Sequence, residues 1–132
     1  MQKFLRLEFV SSSPDVGLLL LRLWLGASMV WLHGWGKLLS LFAGKLSFPD
    51  PLGLGSTPSF LLVIFAEVGC SVLLVLGLWT RWAALILAFN MGVAFFLVNG
   101  ASLAKGELAW LYFGGYLVLF VAGAGAISMD KK

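Results

Sequence analysis

Residues 16–39 read VGLLLLRLWLGASMVWLHGWGKLL. About 20 largely apolar residues cross a bilayer, so this run is long enough to span with some tilt. Ser13-Pro14-Asp15 precedes it, a capping serine with a proline in the first turn. Arg22, His33 and Lys37 interrupt the run. Hydrocarbon solvates none of them, so each needs a partner, a polar cavity or a reach to the headgroups. Arg22, Gly26, Met29, His33 and Lys37 follow one another at spacings of four, three, four and four. Helical geometry puts them on one stripe. Gly26 on that stripe lets another backbone approach, as small residues do in membrane helix packing.

Three further apolar runs follow, at residues 59–79, 82–98 and 108–127. Together they predict an all-α fold: an integral membrane four-helix bundle with antiparallel spans, one transmembrane domain over residues 1–132. Thr80-Arg81 alone joins the second and third spans, which makes them a tight hairpin. The connection 40–57 contains Phe48-Pro49-Asp50-Pro51-Leu52-Gly53 and is expected to dip into the interface or cover the bundle's mouth. Lys3, Arg6, Arg81, Lys131 and Lys132 flank one end of the bundle, against Lys37, Lys45 and Lys105 at the other. That bias puts both termini on the same side, the cytoplasmic one, of a multi-pass protein in a bacterial inner membrane. Trp31, Trp35, Trp79, Trp82 and Trp110 fall near span ends, as an aromatic belt requires.

The composition agrees. Of 132 residues, 61% are hydrophobic and 11% charged, where a soluble domain carries about 25% charged residues. The net charge of +3 comes from nine Lys and Arg against six Asp and Glu. The basic residues other than Arg22 sit at span ends, and no basic run interleaved with aromatics suggests a nucleic-acid surface. Cys70 is the one cysteine, which excludes dithiol exchange within the chain and a thiolate zinc site. The N-terminus lacks the pattern of a cleaved signal, since Glu8 and Ser11-Ser12-Ser13 follow Lys3 and Arg6, and the first span is expected to act as the insertion signal.

Glu67 lies nine residues past Pro58, about 13 Å into the second span at 1.5 Å per residue. It shares a face with Cys70, Ser71 and Leu74. His33 lies about 9 Å deep from the same side by the same measure. The two are expected to meet, and Asn90 on the third span stands at nearly the same level. Lys37 and Glu107 are expected to pair at the outer end, and Arg22 to snorkel to the inner headgroups. A His–Glu pair in a bundle is open to three readings: a structural clamp, a ligand, quinone or proton site, or a metal or porphyrin ligand. One His without HxxxH or ExxH builds no ordinary metal site. Tyr112 and Tyr116 stack at i, i+4, for packing or as a quinone- or lipid-contacting face. Cys70 reads as a small core residue. Gly114, Gly115, Gly123 and Gly125 read as points of close helix contact.

Arg22-Leu23-Trp24-Leu25-Gly26, with His33-Gly34-Trp35-Gly36-Lys37-Leu38, resembles the first-helix signature of the DoxX family. Glu67-Val68-Gly69, followed by Gly77-Leu78-Trp79-Thr80-Arg81-Trp82-Ala83-Ala84-Leu85, resembles its second motif. Gly106-Glu107-Leu108 through Tyr112, then Gly123-Ala124-Gly125-Ala126-Ile127-Ser128-Met129-Asp130, resembles its ending. The resemblance covers residues 17–130, with Ala126 where such proteins often carry a basic residue. It implies a four-helix membrane bundle and an association with thiol, sulfur or respiratory redox systems.

Three functions follow as expectations. The first is a quinone-interacting small subunit of a membrane oxidoreductase. There His33 and Glu67 would carry protons, while Arg22, Lys37, Asn90, Glu107 and Tyr112 would contact quinone or substrate. The chain has no haem-ligand pair, flavin motif or cysteine pair, so electrons would come from a protein partner. The second is a non-catalytic accessory or assembly subunit of a larger complex or a homo-oligomer. The third is a small transporter or lipid-binding protein, against which stands the lack of paired Gly/Pro-broken helices.

Overall fold

A computed structural model describes residues 1–9, 13–45 and 48–130. Ser11, Ser12 and the Lys131-Lys132 pair of the orientation count lie outside the described residues. Every regular element among the described residues is helical. After one turn at Gln2–Leu5 come α1 (Pro14–Phe42), α2 (Ser56–Leu76), α3 (Thr80–Val98) and α4 (Leu103–Ala122). Three of them, α1 to α3, are long and apolar enough to cross a membrane. α4 is also long, but Lys105 and Glu107 lie near its start. Each helix packs on its chain neighbours and α4 closes back on α1. The chain is an integral membrane helical bundle.

Local chemistry sets the helix ends. Ser13 is extended and its Oγ accepts from Val16 N at 3.2 Å, the expected cap for α1. α2 stops at Leu76 rather than 79 because Gly77 turns left-handed at φ +70. Leu78 N then donates to Leu73 O at 2.9 Å and Gly77 N to Leu74 O at 3.1 Å, closing a Schellman motif. α4 occupies 103–122 rather than 108–127. It begins after extended Ser102, bends at Gly106 and ends where Gly123 takes φ +82. Gly123 is therefore a turn residue and Gly114 faces open space, whereas a Cβ on Gly125 would stand 3.3 Å from Leu18 of α1 and one on Gly115 2.7 Å from Leu25 Cδ1, so these two are close contacts as expected.

Three of the four long helices contain a π-helical turn: Val30–Gly34 in α1, Phe65–Cys70 in α2 and Ala94–Val98 in α3. A π-turn accommodates one extra residue and shifts the face downstream of it. His33 lies in the first of these turns and Glu67 in the second.

The C-terminal tail meets the α2–α3 hairpin at one end of the bundle, here the tail end. The Asp130 carboxylate accepts from Trp79 N at 2.7 Å and Thr80 N at 2.8 Å, capping α3 from the far end of the sequence. Trp79 takes a left-handed φ of +49 there, a strained conformation for a bulky residue. Hydrogen bonds from Thr80 and Trp79 and the nearby Arg22 outweigh desolvation and hold Asp130 below the usual carboxylate range. Asp15 Oδ1 accepts from Ala126 N at 2.9 Å.

Arg22 does not snorkel. It is fully buried and its guanidinium donates to Leu74 O at 3.2 Å, to Val75 O at 3.5 Å and to Ile127 O. The first two are C-terminal carbonyls of α2, where the helix dipole favours a cation. A long side chain prefers such a preformed set of acceptors to the headgroups once the tail folds back over it.

α1 and α2 touch most closely at two glycines. A Cβ on Gly26 would stand 2.7 Å from Val75 Cγ2 and 2.9 Å from Ser71 O. One on Gly34 would stand 2.7 Å from Val68 Cγ2 and 3.1 Å from Glu67 O. Gly36 faces open space. Gly26→Val is therefore expected to lower stability by about 1–3 kcal/mol through overpacking, while Gly36→Val stays near wild type. Thermal melts of both variants in one detergent test this, and equal melting points would refute it.

Candidate functional site

The site is built around Glu67, whose side chain is 4% exposed within the π-turn of α2. Its Oε1 lies 2.6 Å from Lys37 Nζ, and its Oε2 accepts from Asn90 Nδ2 at 3.1 Å. One carboxylate thus ties α1, α2 and α3 together. The Lys37 side chain is 27% exposed and carries the cluster toward the end bearing residues 43–55 and 99–102, the loop end. The expected pair between Lys37 and Glu107 does not form. Lys37, downstream of the α1 π-turn, faces α2, and Glu107 stands exposed on α4.

His33 is half-buried beside this cluster, but its expected bond to Glu67 is absent because Lys37 and Asn90 hold the two carboxylate oxygens. The His33 ring meets the Tyr112 ring edge-on at 5.6 Å, and Tyr112 stacks on Tyr116 at 5.9 Å. Ser28 neighbours the Tyr112 hydroxyl and Ser71 the Tyr116 hydroxyl. His33 Nε2, Ser71 Oγ and Tyr116 Oη are buried without a protein partner of normal hydrogen-bond geometry among the described residues. Cys70 is fully buried in the core, as expected of a small apolar residue. Arg22 lies at the tail end and Glu107 on the surface, so neither belongs to the cluster.

On the other side of Asn90 lies an apolar cavity of about 240 Å³. Val63, Ala66, Ile86 and Val93 of α2 and α3 form much of its wall, and Phe48, Pro51, Leu52 and Leu54 of the preceding loop roof it. Leu62, Phe65 and Phe89, all exposed on the lipid-facing surface, stand at its rim. Asn90 and Ser59 are the polar residues in the lining. Asn90 thus faces the cavity and holds Glu67 at once.

Asp50 organises the roof. Its carboxylate accepts from Leu54 N at 2.9 Å, Gly55 N at 2.8 Å and Ser59 Oγ at 2.8 Å. Phe48 packs on Phe60 at 5.1 Å, and Ser56 Oγ bridges Phe48 N and O at 3.1 and 2.8 Å. The loop therefore covers the mouth, the second of its two expected placements. The Ser59 hydroxyl and the loop amides hold Asp50 below the usual carboxylate range.

The DoxX family profile matches residues 17–100. The chain belongs to the DoxX family. An uncharacterized protein of Haemophilus influenzae is 36% identical over 114 residues, 80% of this chain and 83% of that protein. The inner membrane protein YqjF of Escherichia coli is 31% identical over 124 residues, 89% of this chain and 92% of that protein. No solved structure matches the chain significantly. With three apolar spans and this kinship, this DoxX protein is a multi-pass inner membrane protein. Its family match covers Lys37, Glu67, Asn90 and the Asp50 loop.

Two expectations follow for this DoxX site. Lys37→Met strands a buried carboxylate and is expected to cost about 1.5–3 kcal/mol. Lys37→Met with Glu67→Met removes both charges and is expected to recover most of that loss. A double-mutant cycle on melting points measures it, and additive losses would contradict the pairing. Because Asp50 has a depressed pKa, its anchoring is present above about pH 4, the free carboxylate value, and fades as the pH falls below it. At pH 7, Asp50→Ala is expected to speed amide exchange at Leu54 and Gly55 on the order of tenfold. Unchanged exchange would show that the roof holds without it.

Proposed function

We propose that this DoxX protein is a quinone-interacting small subunit of a membrane oxidoreductase system. The observation that carries this reading is Asn90, one amide shared between an apolar cavity and a buried, lysine-paired carboxylate. Binding sites for amphiphilic ring compounds combine apolar walls with a few placed polar groups. A cavity of about 240 Å³ suits a ring and the first part of a chain. Leu62, Phe65 and Phe89 open its rim toward lipid, where a prenyl tail would continue.

A bound quinone supplies a two-electron, two-proton acceptor. Asn90 keeps a second N–H and its Oδ1 free to orient a carbonyl-bearing ring while Nδ2 holds Glu67. Glu67 takes and returns protons, and Lys37 offsets its charge when it is ionised. His33 stands beside Glu67 as a second proton-carrying group. The chain's own residues carry no electrons in this scheme, so these come from a partner protein in thiol, sulfur or respiratory redox chemistry.

The competing reading is an accessory subunit in which Lys37, Glu67 and Asn90 only clamp three helices. The full occupation of both Glu67 oxygens favours it. Quinone co-purifying with the chain in mild detergent separates the two. Wild type is expected to retain quinone and Asn90→Leu to lose most of it. Glu67→Gln is expected to keep its fold and lower quinone-linked turnover in membranes. Equal quinone content in wild type and Asn90→Leu, with turnover unchanged in Glu67→Gln, would leave the clamp.

A further inference from the structure

We infer that the Glu67 cluster is a one-sided proton site, open to the loop end of the bundle and sealed from the tail end. This does not depend on the quinone reading. The groups around Glu67 are Lys37 and His33 from α1, Asn90 from α3, and Tyr112 and Tyr116 from α4, with Cys70 and Ser71 on its own helix.

The cluster reaches the loop end through Lys37, the partly exposed member of the pair. Inward from Glu67, the groups able to pass a proton are His33, the Tyr112 hydroxyl beside Ser28 and the Tyr116 hydroxyl beside Ser71. His33 Nε2, Ser71 Oγ and Tyr116 Oη have no protein partner of normal hydrogen-bond geometry among the described residues, Ser71 and Tyr116 being loose neighbours of each other. Buried polar atoms are almost always satisfied, by ordered water where protein does not do it. A short chain of waters joining them to Glu67 meets that demand and lets protons exchange along the file.

The file stops at mid-bundle. Met29, Leu74, Leu87 and Leu119, one from each helix, fill the core around and beneath Ser71 and Tyr116, each with 0% exposure. None can carry a proton. Arg22 follows, fully buried, its guanidinium fixed on the carbonyls of Leu74 and Val75. A buried cation repels an approaching proton, as charged constrictions do in selective pores. An apolar layer backed by a buried cation therefore separates the Glu67 cluster from the tail end.

The test is proton flux into proteoliposomes loaded with a pH-sensitive dye, driven by a potassium diffusion potential, with no quinone present. Wild type is expected to match protein-free vesicles. Met29→Gln, which keeps the side-chain volume, and Leu119→Asn each place a hydrogen-bonding group in the apolar layer. Each is expected to raise flux on the order of tenfold, because the apolar layer is the main barrier and the charge of Arg22 behind it is partly offset by the carbonyls that hold it. Adding Glu67→Gln to either is expected to return flux to baseline, because the described groups lead inward from the loop end through Glu67. Conduction by wild type would overturn the inference. So would a folded Met29→Gln protein at baseline, or flux that persists after Glu67→Gln. Loss of quinone binding changes none of these outcomes, so the two readings fail separately.

Discussion

The rest of this bundle depends on one constraint: the Glu67 carboxylate is buried among the helices, with only 4% of its side chain exposed. An unpaired ion in that setting costs several kcal/mol even after relaxation. Lys37 and Asn90 therefore have to be delivered to it from two other helices. That requirement fixes the rotation of α1 and α3 against α2. It also explains the close approach at Gly34, whose missing Cβ leaves room for the Glu67 carbonyl. The π-turns at Val30–Gly34 and Phe65–Cys70 flank this contact from both sides, where local helix geometry is adjusted to aim side chains inward.

The tail end obeys the same rule with different means. Helix ends leave carbonyls and amides without partners, and here protein groups take them. Arg22 takes the last carbonyls of α2, while Met129 N and Asp130 N take Leu76 O and Gly77 O at 3.2 and 2.8 Å. Asp130 takes the first amides at α3. The tail is thus part of the architecture: without it, the start of α3 loses the Asp130 carboxylate and the buried guanidinium loses Ile127 O. Arg81 extends the pattern by donating to Phe120 O at 2.8 Å at the end of α4.

These two ends explain which features were legible in the sequence. The apolar runs, the Ser13 cap, the polar stripe on the first span and the Glu67–Asn90 level all follow from periodicity and depth. Periodicity treats a helix as straight, however. A π-turn between Arg22 and Lys37 is invisible to it, so periodicity pairs Lys37 with Glu107 at the surface rather than with Glu67 in the core. Arg22 was matched to headgroups because its true acceptors include Ile127, supplied by a return of the chain that no local pattern encodes. The end of α4 was set too late because apolar residues continue past Gly123, although the glycines at 123 and 125 were the signal for a turn. Asp50 lay in plain view between two prolines, yet its role as anchor of the cavity roof depends on where Ser59 begins α2.

A clamp and a working site make different demands on the core. Lys37, Glu67 and Asn90 alone would lock three helices. His33 Nε2, Ser71 Oγ and Tyr116 Oη add polar atoms to the interior without adding a protein–protein bond. Each costs desolvation that a Leu, Ala or Phe at the same place would avoid. A purely structural core is expected to shed such groups, as the layer of Met29, Leu74, Leu87 and Leu119 immediately beneath does. These three atoms lie above the apolar layer, in the half of the bundle that also holds the roofed cavity, and Asn90 lines that cavity while holding Glu67. That coincidence gives the excess polar atoms a purpose the clamp does not: they keep a buried carboxylate in contact with protons on one side, beside a pocket open to the lipid.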